Sequence, residues 1–516
     1  MINLPDLPME VQQQIVQETI PADFESFVLS CKSVYQAANG GLLEQYNWFR
    51  RKLRFIQIQP DVEDPGDDDS EGGSLDPMKA ETPWSESSLN LLEYIAEYPC
   101  VARWIEFLDL TEDRPLEDDA KIALMRNRLD REDVGVKGLV LGSSFLQEAG
   151  VDAQGWYSQM VGLAKRGLYD TERHYCSSLF LLTLLPSLKG LALPSAWSSI
   201  GKPSDAEYQD AWRILDLIVR KANEQPNSDA PLSRLEQLEL VPSEVCGYDE
   251  REKLQVVAPF ASIKTVTRLY AGSGIATDEY TGYPFESRYD TFGINLRTVE
   301  MYGCCVGAPE MKLFLAHMCN LKNLLFSHEV KWQGCGSDWD YAEFMSAIEE
   351  SPCAATLESL SVTICNGSPL RIDLQVRSVK GFRSLKSLEL DLDLLKSRNS
   401  KPVPRLVDLV PDTVEVFRIQ GHNLQDSIDD LRELFAGCVE GKDQHLPNLK
   451  KVYLRSGGNP RGGDQLQEAI GRELEAVNGR LIQRNWPLTA VWMKTFHERL
   501  ISSVADAADD ESSGGD

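Results

Sequence analysis

The residues of this chain best suited to metal or nucleophilic chemistry are six histidines and eleven cysteines, and their spacing organises neither kind of site. The cysteines are scattered, odd in number and without a CxxC pair; Cys304 and Cys305 are adjacent, which suits neither a zinc knuckle nor a ready disulfide. His317 and Cys319 stand close but have no further ligands at a metal-like interval. There is no GxxxxGK[ST] phosphate loop, no GxSxG elbow, no HExxH and no GxGxxG. Gly272-Ser273-Gly274 and Gly334-Cys335-Gly336 read as loop punctuation, and in so acidic a chain the pair Glu349-Glu350 says nothing about acid–base work. No catalytic residue, metal or cofactor is expected, so the protein should be a binding molecule rather than an enzyme. Tyrosine and arginine combine large contact area with a polar handle. The candidates for a binding surface are Tyr270, Tyr302, Arg418, Tyr453 and Arg455, although ordinary solvated strand positions would look the same.

Those five are picked out by the elements expected to carry them. The pattern apolar-x-x-apolar-x-apolar recurs eleven times, starting at Ile105, Val136, Leu188, Leu235, Val266, Leu296, Leu321, Leu357, Leu385, Val414 and Leu449. Most intervals hold a helix-like stretch, such as 205–224, 308–319 or 338–350. In a short strand the last two apolar residues point inward together, and the residue between them points out. A helix crossing back over the buried face brings the next strand in parallel, and stacked units share one core. The outward positions are then Asp109, Val140, Ala192, Glu239, Tyr270, Glu300, Leu325, Ser361, Glu389, Arg418 and Tyr453, flanked by Tyr302, Asp391, Lys451 and Arg455. An ordinary α/β domain with parallel strands is the competing architecture. Two aromatic stretches, residues 278–292 with Tyr280, Tyr283, Phe285, Tyr289 and Phe292, and residues 332–339 with Trp332 and Trp339, should pack on the solenoid or meet a partner.

The N-terminus is built differently. Pro8 suits a first helical turn, and Glu10 favours the positive helix end. Val11, Ile15 and Val16 are expected on one face of that helix; Phe24, Phe27 and Val28 mark a second, and a third runs through Val34 and Tyr35 to Gly40-Gly41. Three short helices leave little room for a private core, so something else should cover their surplus apolar surface. Leu7-Pro8-x-Glu10, Ile15, Asp23-Phe24 and Cys31-Lys32-x-x-Tyr35 together resemble an F-box of the fungal type, over about forty residues. Ser30 stands where a valine is usual, and Gln12 to Gln14 make the first helix more polar than average. The repeats resemble divergent leucine-rich repeats. The resemblance implies an α/β protein, a three-helix F-box followed by an irregular leucine-rich-repeat solenoid with parallel strands on the concave face and helices outside. It also implies a partner, the Skp adaptor protein, and through it a cullin. Leu4, Pro5, Leu7, Pro8, Ile15, Val16, Cys31, Lys32 and Tyr35 would form the adaptor contact, and the outward strand residues would hold an unknown protein substrate of a ubiquitin ligase. The same residues could instead pack the helices on their neighbours, with Val11 and Phe27 the best candidates for that. The F-box pair could also serve a binding scaffold outside any ligase.

Charge and composition fit this reading. The net charge of −28 argues against a phosphate-tracking nucleic-acid binder. Part of it sits in 61–81, with nine acidic residues against Lys79, and part in the last sixteen residues, with five acidic and none basic. No apolar run reaches membrane length, because Pro186 and Lys189 break the nearest, 179–193, into a helix and a strand. MINLPDLPMEVQQ has neither a basic flank nor an apolar stretch of signal-peptide kind. A cytoplasmic or nuclear protein without a membrane partner is expected. Its divisions are an F-box at 3–55, an acidic disordered linker at 60–83, the solenoid at 84–456, a helical cap at 457–500 and a disordered tail at 501–516.

Overall fold

The computed structural model describes residues 7–20, 24–38, 41–58, 87–113, 134–166, 175–194, 197, 200, 204–241, 251–277, 285, 286, 288–329, 339–365, 378–396, 402–421, 424–456, 463–483, 496, 499 and 500. The acidic stretches at 60–83 and 501–516, and Leu4 and Pro5, lie outside them. The chain divides into two compact units, residues 1–236 and 237–516. Both are α/β with parallel strands. Among the described residues no helix is long and apolar enough to cross a membrane.

The first unit opens with four helices, α1 Met9–Glu18, α2 Phe24–Val28, α3 Lys32–Ala38 and α4 Gly41–Leu53, where three were expected. Their shared core is Val16, Phe24, Val28, Val34 and Tyr46, with the Phe24 and Tyr46 rings stacked at 4.4 Å. Helix α4 runs directly into β1 Phe55–Gln57, which pairs in parallel with β2 Phe107–Asp109, and β2 with β3 Gly190–Leu193. The spacing Leu53-x-x-Ile56-x-Ile58 is a further copy of the apolar pattern, sitting where the helical zone was thought to end, and Leu53, Ile56 and Ile58 are all buried. Around the strands pack helices such as Ser88–Glu97, whose N-cap Ser87 accepts from the Asn90 amide, and the amphipathic Gln209–Glu224, which buries Trp212, Ile214, Leu215 and Ile218.

In the second unit the strand order is β4 Gln237–Leu240, β6 Arg268–Gly272, β8 Thr298–Val306, β9 Asn323–His328, β10 Ser359–Ile364, β11 Ser387–Asp391, β12 Val416–Gly421, β13 Lys451–Ser456 and β14 Gly479–Gln483. Short β5 Glu252–Lys253 and β7 Gly274–Ala276 form a side ladder against the far half of β8. β8 can serve both ladders because Gly303, at φ +57°, shifts its register between Met301 and Cys304.

Ten of the eleven apolar patterns become strands, each beginning two residues after the pattern does, as from Leu321 to Asn323 or Leu385 to Ser387. The inward residues form continuous rows without measurable exposure, such as Met301, Phe326, Val362, Leu390, Ile419 and Leu454. Helices cover this face: Phe326 lies 4.5 Å from the ring of Phe344 in the Tyr341–Glu349 helix. The exception is Val136, which falls in a helix, Val134–Leu141. Val136 and Val140 are four apart and both buried, so one helical face satisfies the residues that alternation was meant to serve; Val140 is no outward strand position. Of the aromatic stretches, Phe285, Phe292 and Trp339 are buried, while Tyr280, Tyr283 and Trp332 lie outside the described residues.

Candidate functional site

Two surfaces need description, one in each unit. On the N-terminal helices the inward face of α1 is not the expected one. Gln12 and Val16 are buried, whereas Val11 is 40% exposed. The Gln12 amide donates to the Leu7 carbonyl at 2.8 Å, and its oxygen accepts from Ser33 Oγ at 2.7 Å, which ties α1 to α3. This satisfies a buried polar group that would otherwise be costly, and it rotates the helix by about one position. Val16 is therefore a core residue and cannot contribute to a docking contact. Leu7, Ile15 and Cys31 are partly exposed, and Pro8, Lys32 and Tyr35 are exposed. Seven large apolar residues are prominently exposed among the described residues, and five belong to this helical region: Met9, Val11, Tyr35 and Trp48 on the helices and Leu29 in the turn after α2. Leu29, at 78% exposed, is the most extreme, and sequence reasoning missed it together with Trp48. A small helical bundle has more apolar residues than interior, and only tertiary contacts decide which are left outside.

In the second unit, register places Glu239, Tyr270, Glu300, Leu325, Ser361, Glu389, Arg418 and Tyr453 opposite one another in a single row, extended by Arg480 on β14. Arg480 escaped notice because Gly479 stands where an apolar residue would complete the pattern. A parallel row one step towards the strand starts, Thr298, Asn323, Ser359 and Ser387, joins the first in lining a recess of about 250 Å³. Its walls are bonded to each other. Arg418 Nη1 donates to Ser387 Oγ at 2.6 Å and lies 5.7 Å from the Tyr453 ring. Glu389 accepts from Ser361 Oγ at 3.1 Å and pairs with Arg455. Arg418, Tyr453 and Arg455 are thus brought together with Glu389 on three neighbouring strands.

The other end of the row is different. Tyr270 and Tyr302 lie together, ring centres 5.5 Å apart, but Tyr270 is only 6% exposed. Arg499 lies over its ring at 4.1 Å, and Arg499 Nε donates at 2.9 Å to Glu239, whose side chain is wholly buried. Phe496, from the same segment, is buried as well. Burial raises the Tyr270 hydroxyl well above its ordinary pKa, although the Arg499 charge works against this. Tyr270 thus stands in the outward row as expected and is covered there by Arg499. In the rest of the row Glu300, Leu325, Glu389, Arg418 and Tyr453 are partly exposed, and Ser361 is buried among them.

At the strand-leading edge a third pattern appears, unforeseen in the sequence. In the last five patterns the residue following the first apolar residue carries alternating charge: Lys322, Glu358, Lys386, Glu415 and Lys450 are joined through consecutive backbone hydrogen bonds. Glu358 holds Lys322 and Lys386 at 2.8 Å each, and Glu415 holds Lys450 at 2.6 Å. Hydrogen bonds from Lys322 and Lys386 hold the Glu358 carboxyl down to about 2. No protein-family model and no curated protein matches this chain.

Proposed function

We propose that the protein is a substrate-recognition subunit of an Skp–cullin–F-box ubiquitin ligase, with the N-terminal helices docking on the Skp adaptor and the second unit's outward row holding a protein target. The observation that carries this is the concentration of exposed apolar side chains, Met9, Val11, Leu29, Tyr35 and Trp48, on the four helices and the turn after α2 that bear the F-box-like residues. Water-exposed apolar area of this kind gains free energy when a partner covers it, at about 25 cal/mol per Å². From the motif itself Tyr35 is one of the five, Pro8 is exposed and Leu7 is partly exposed. The row from Glu300 to Tyr453 supplies the second requirement, a partly exposed strand face with tyrosine and arginine, residue types that often dominate contacts. A receptor acting through a cullin-bound partner needs no nucleophile of its own.

Co-purification tests the reading. Wild type should recover the Skp adaptor and a cullin, and Leu29→Asp/Tyr35→Asp should recover neither while folding normally. Adaptor without cullin would transfer the protein to a scaffold outside the ligase. Recovery of neither partner by wild type would end the F-box reading.

A further inference from the structure

One recess of the first unit gathers more cations than the acids beside it can pair. In a chain carrying 80 acidic against 52 basic residues, a cavity of about 600 Å³ is lined by Arg50, Arg51, Arg54, Arg103, Lys189 and Arg234, with Glu106 as its one carboxylate. The cations come from successive structural edges. Arg50 and Arg51 end α4, Arg54 precedes β1, Arg103 closes the short turn Pro99–Arg103 before β2, and Lys189 immediately precedes β3. The largely buried Trp104 forms part of the wall.

Nearby acids do not balance this set. Glu106 takes both Arg54 and Lys189 at 2.9 Å, Glu25 takes Arg50 at 3.0 Å, and Asp229 stands 3.7 Å from Arg234. Among the described residues neither Arg51 nor Arg103 meets a carboxylate; Arg51 Nε only donates to the Asn47 carbonyl at 3.2 Å. Six like charges around one recess repel each other unless an anion enters, and a concave, low-dielectric wall concentrates their field. Arg54 and Lys189 share Glu106 as Lys322 and Lys386 share Glu358, so the excess in the recess lies in Arg51 and Arg103. Guanidinium forks are suited to phosphate oxygens, and the volume is that of a small-molecule site rather than a groove following a polymer.

We propose that this recess binds a small polyphosphorylated anion, held by Arg51 and Arg103 together with Arg54, Lys189 and Arg234. The ligand could be a free polyphosphate or a multiply phosphorylated lipid headgroup, because both present clustered phosphates to the same forks. Isothermal titration calorimetry of the full chain with inorganic tripolyphosphate tests it at physiological salt. Tripolyphosphate should bind at least about tenfold more tightly than orthophosphate, since several phosphates engage at once. Arg51→Ala/Arg103→Ala should weaken it about tenfold or more without changing the melting temperature, as neither side chain holds a structural ion pair. Equal binding of tripolyphosphate and orthophosphate, unchanged affinity in the double variant, or tighter binding of a single-stranded oligonucleotide would each overturn the assignment. Sedimentation with phosphatidylinositol bisphosphate vesicles separates the sources. Binding displaced by tripolyphosphate assigns the site to the headgroup, and binding of tripolyphosphate alone assigns it to a free anion.

Discussion

The N-terminal helices are exposed and the outward strand row is partly so, yet the two are left incomplete in opposite ways. The helical region presents apolar groups, of which Leu29 and Tyr35 are left at least half open to water by the other described residues. The row presents polar groups already bonded to each other, as Arg418 is to Ser387 and Arg455 to Glu389. A partner on the helices gains by removing apolar area from water. A partner on the row must exchange one set of hydrogen bonds for another, which gives selectivity more than affinity. Docking to a constant adaptor calls for the first kind of surface, and discrimination among targets for the second.

Breaking the helix surface should have the largest effect. Leu29→Asp/Tyr35→Asp is expected to weaken adaptor binding about 100-fold or more, some 3 kcal/mol, measured by titration. Unfolding should change little because both residues are exposed. If binding survives while Arg418→Ala abolishes it, the two surfaces have been assigned the wrong way round. Next comes Arg499→Ala, which leaves Glu239 buried without its cation and is expected to cost about 2–3 kcal/mol of unfolding free energy. Faster amide exchange around Tyr270 should accompany it, showing that the covered end of the row depends on residues 496–500.

The third test uses pH. Burial, with the nearby Asp393 charge, pushes the Asp391 carboxyl up to about 7. The folded chain therefore keeps a proton that the unfolded chain loses above about pH 4, so this group's contribution falls as pH rises from about 4 to 7. Asp391→Asn should be more stable than wild type at pH 8, by roughly 2 kcal/mol, and nearly equal to it at pH 4. His328, driven down to about 3 by burial beneath Trp339, acts oppositely: its contribution is lost as pH falls below about 6.5. Denaturant unfolding of variant and wild type at the two pH values isolates Asp391, since His328 is common to both.

The strands were legible because their signal is local. Ten patterns place ten strands to the residue, since alternation within six residues decides which side chains face in. Where two periods fit the same residues, as at Val136 and Val140, sequence alone chose wrongly. Where glycine replaces the apolar residue, as at Gly479, the strand was invisible. The sites were less legible because they depend on distant partners. Val16 turns inward because Gln12 finds Ser33, and Tyr270 is covered by Arg499, whose partner Glu239 lies 260 residues away in sequence. No window of neighbouring residues contains either fact.

The charged edge of the strands sharpens the comparison at its smallest scale. Neighbouring strands stand about 4.8 Å apart, so residues at the same repeat position are forced together whatever their charge. The alternation Lys322, Glu358, Lys386 turns that enforced proximity from repulsion into attraction, although each exposed pair contributes little by itself. Glu358→Lys would set three lysines side by side, replacing two attractions with two repulsions. The expected loss is about 1 kcal/mol in low salt, shrinking as added salt screens the contact. A loss that salt leaves unchanged would mean that Glu358 matters through packing, and the ordering of charges along that edge would then have no energetic basis.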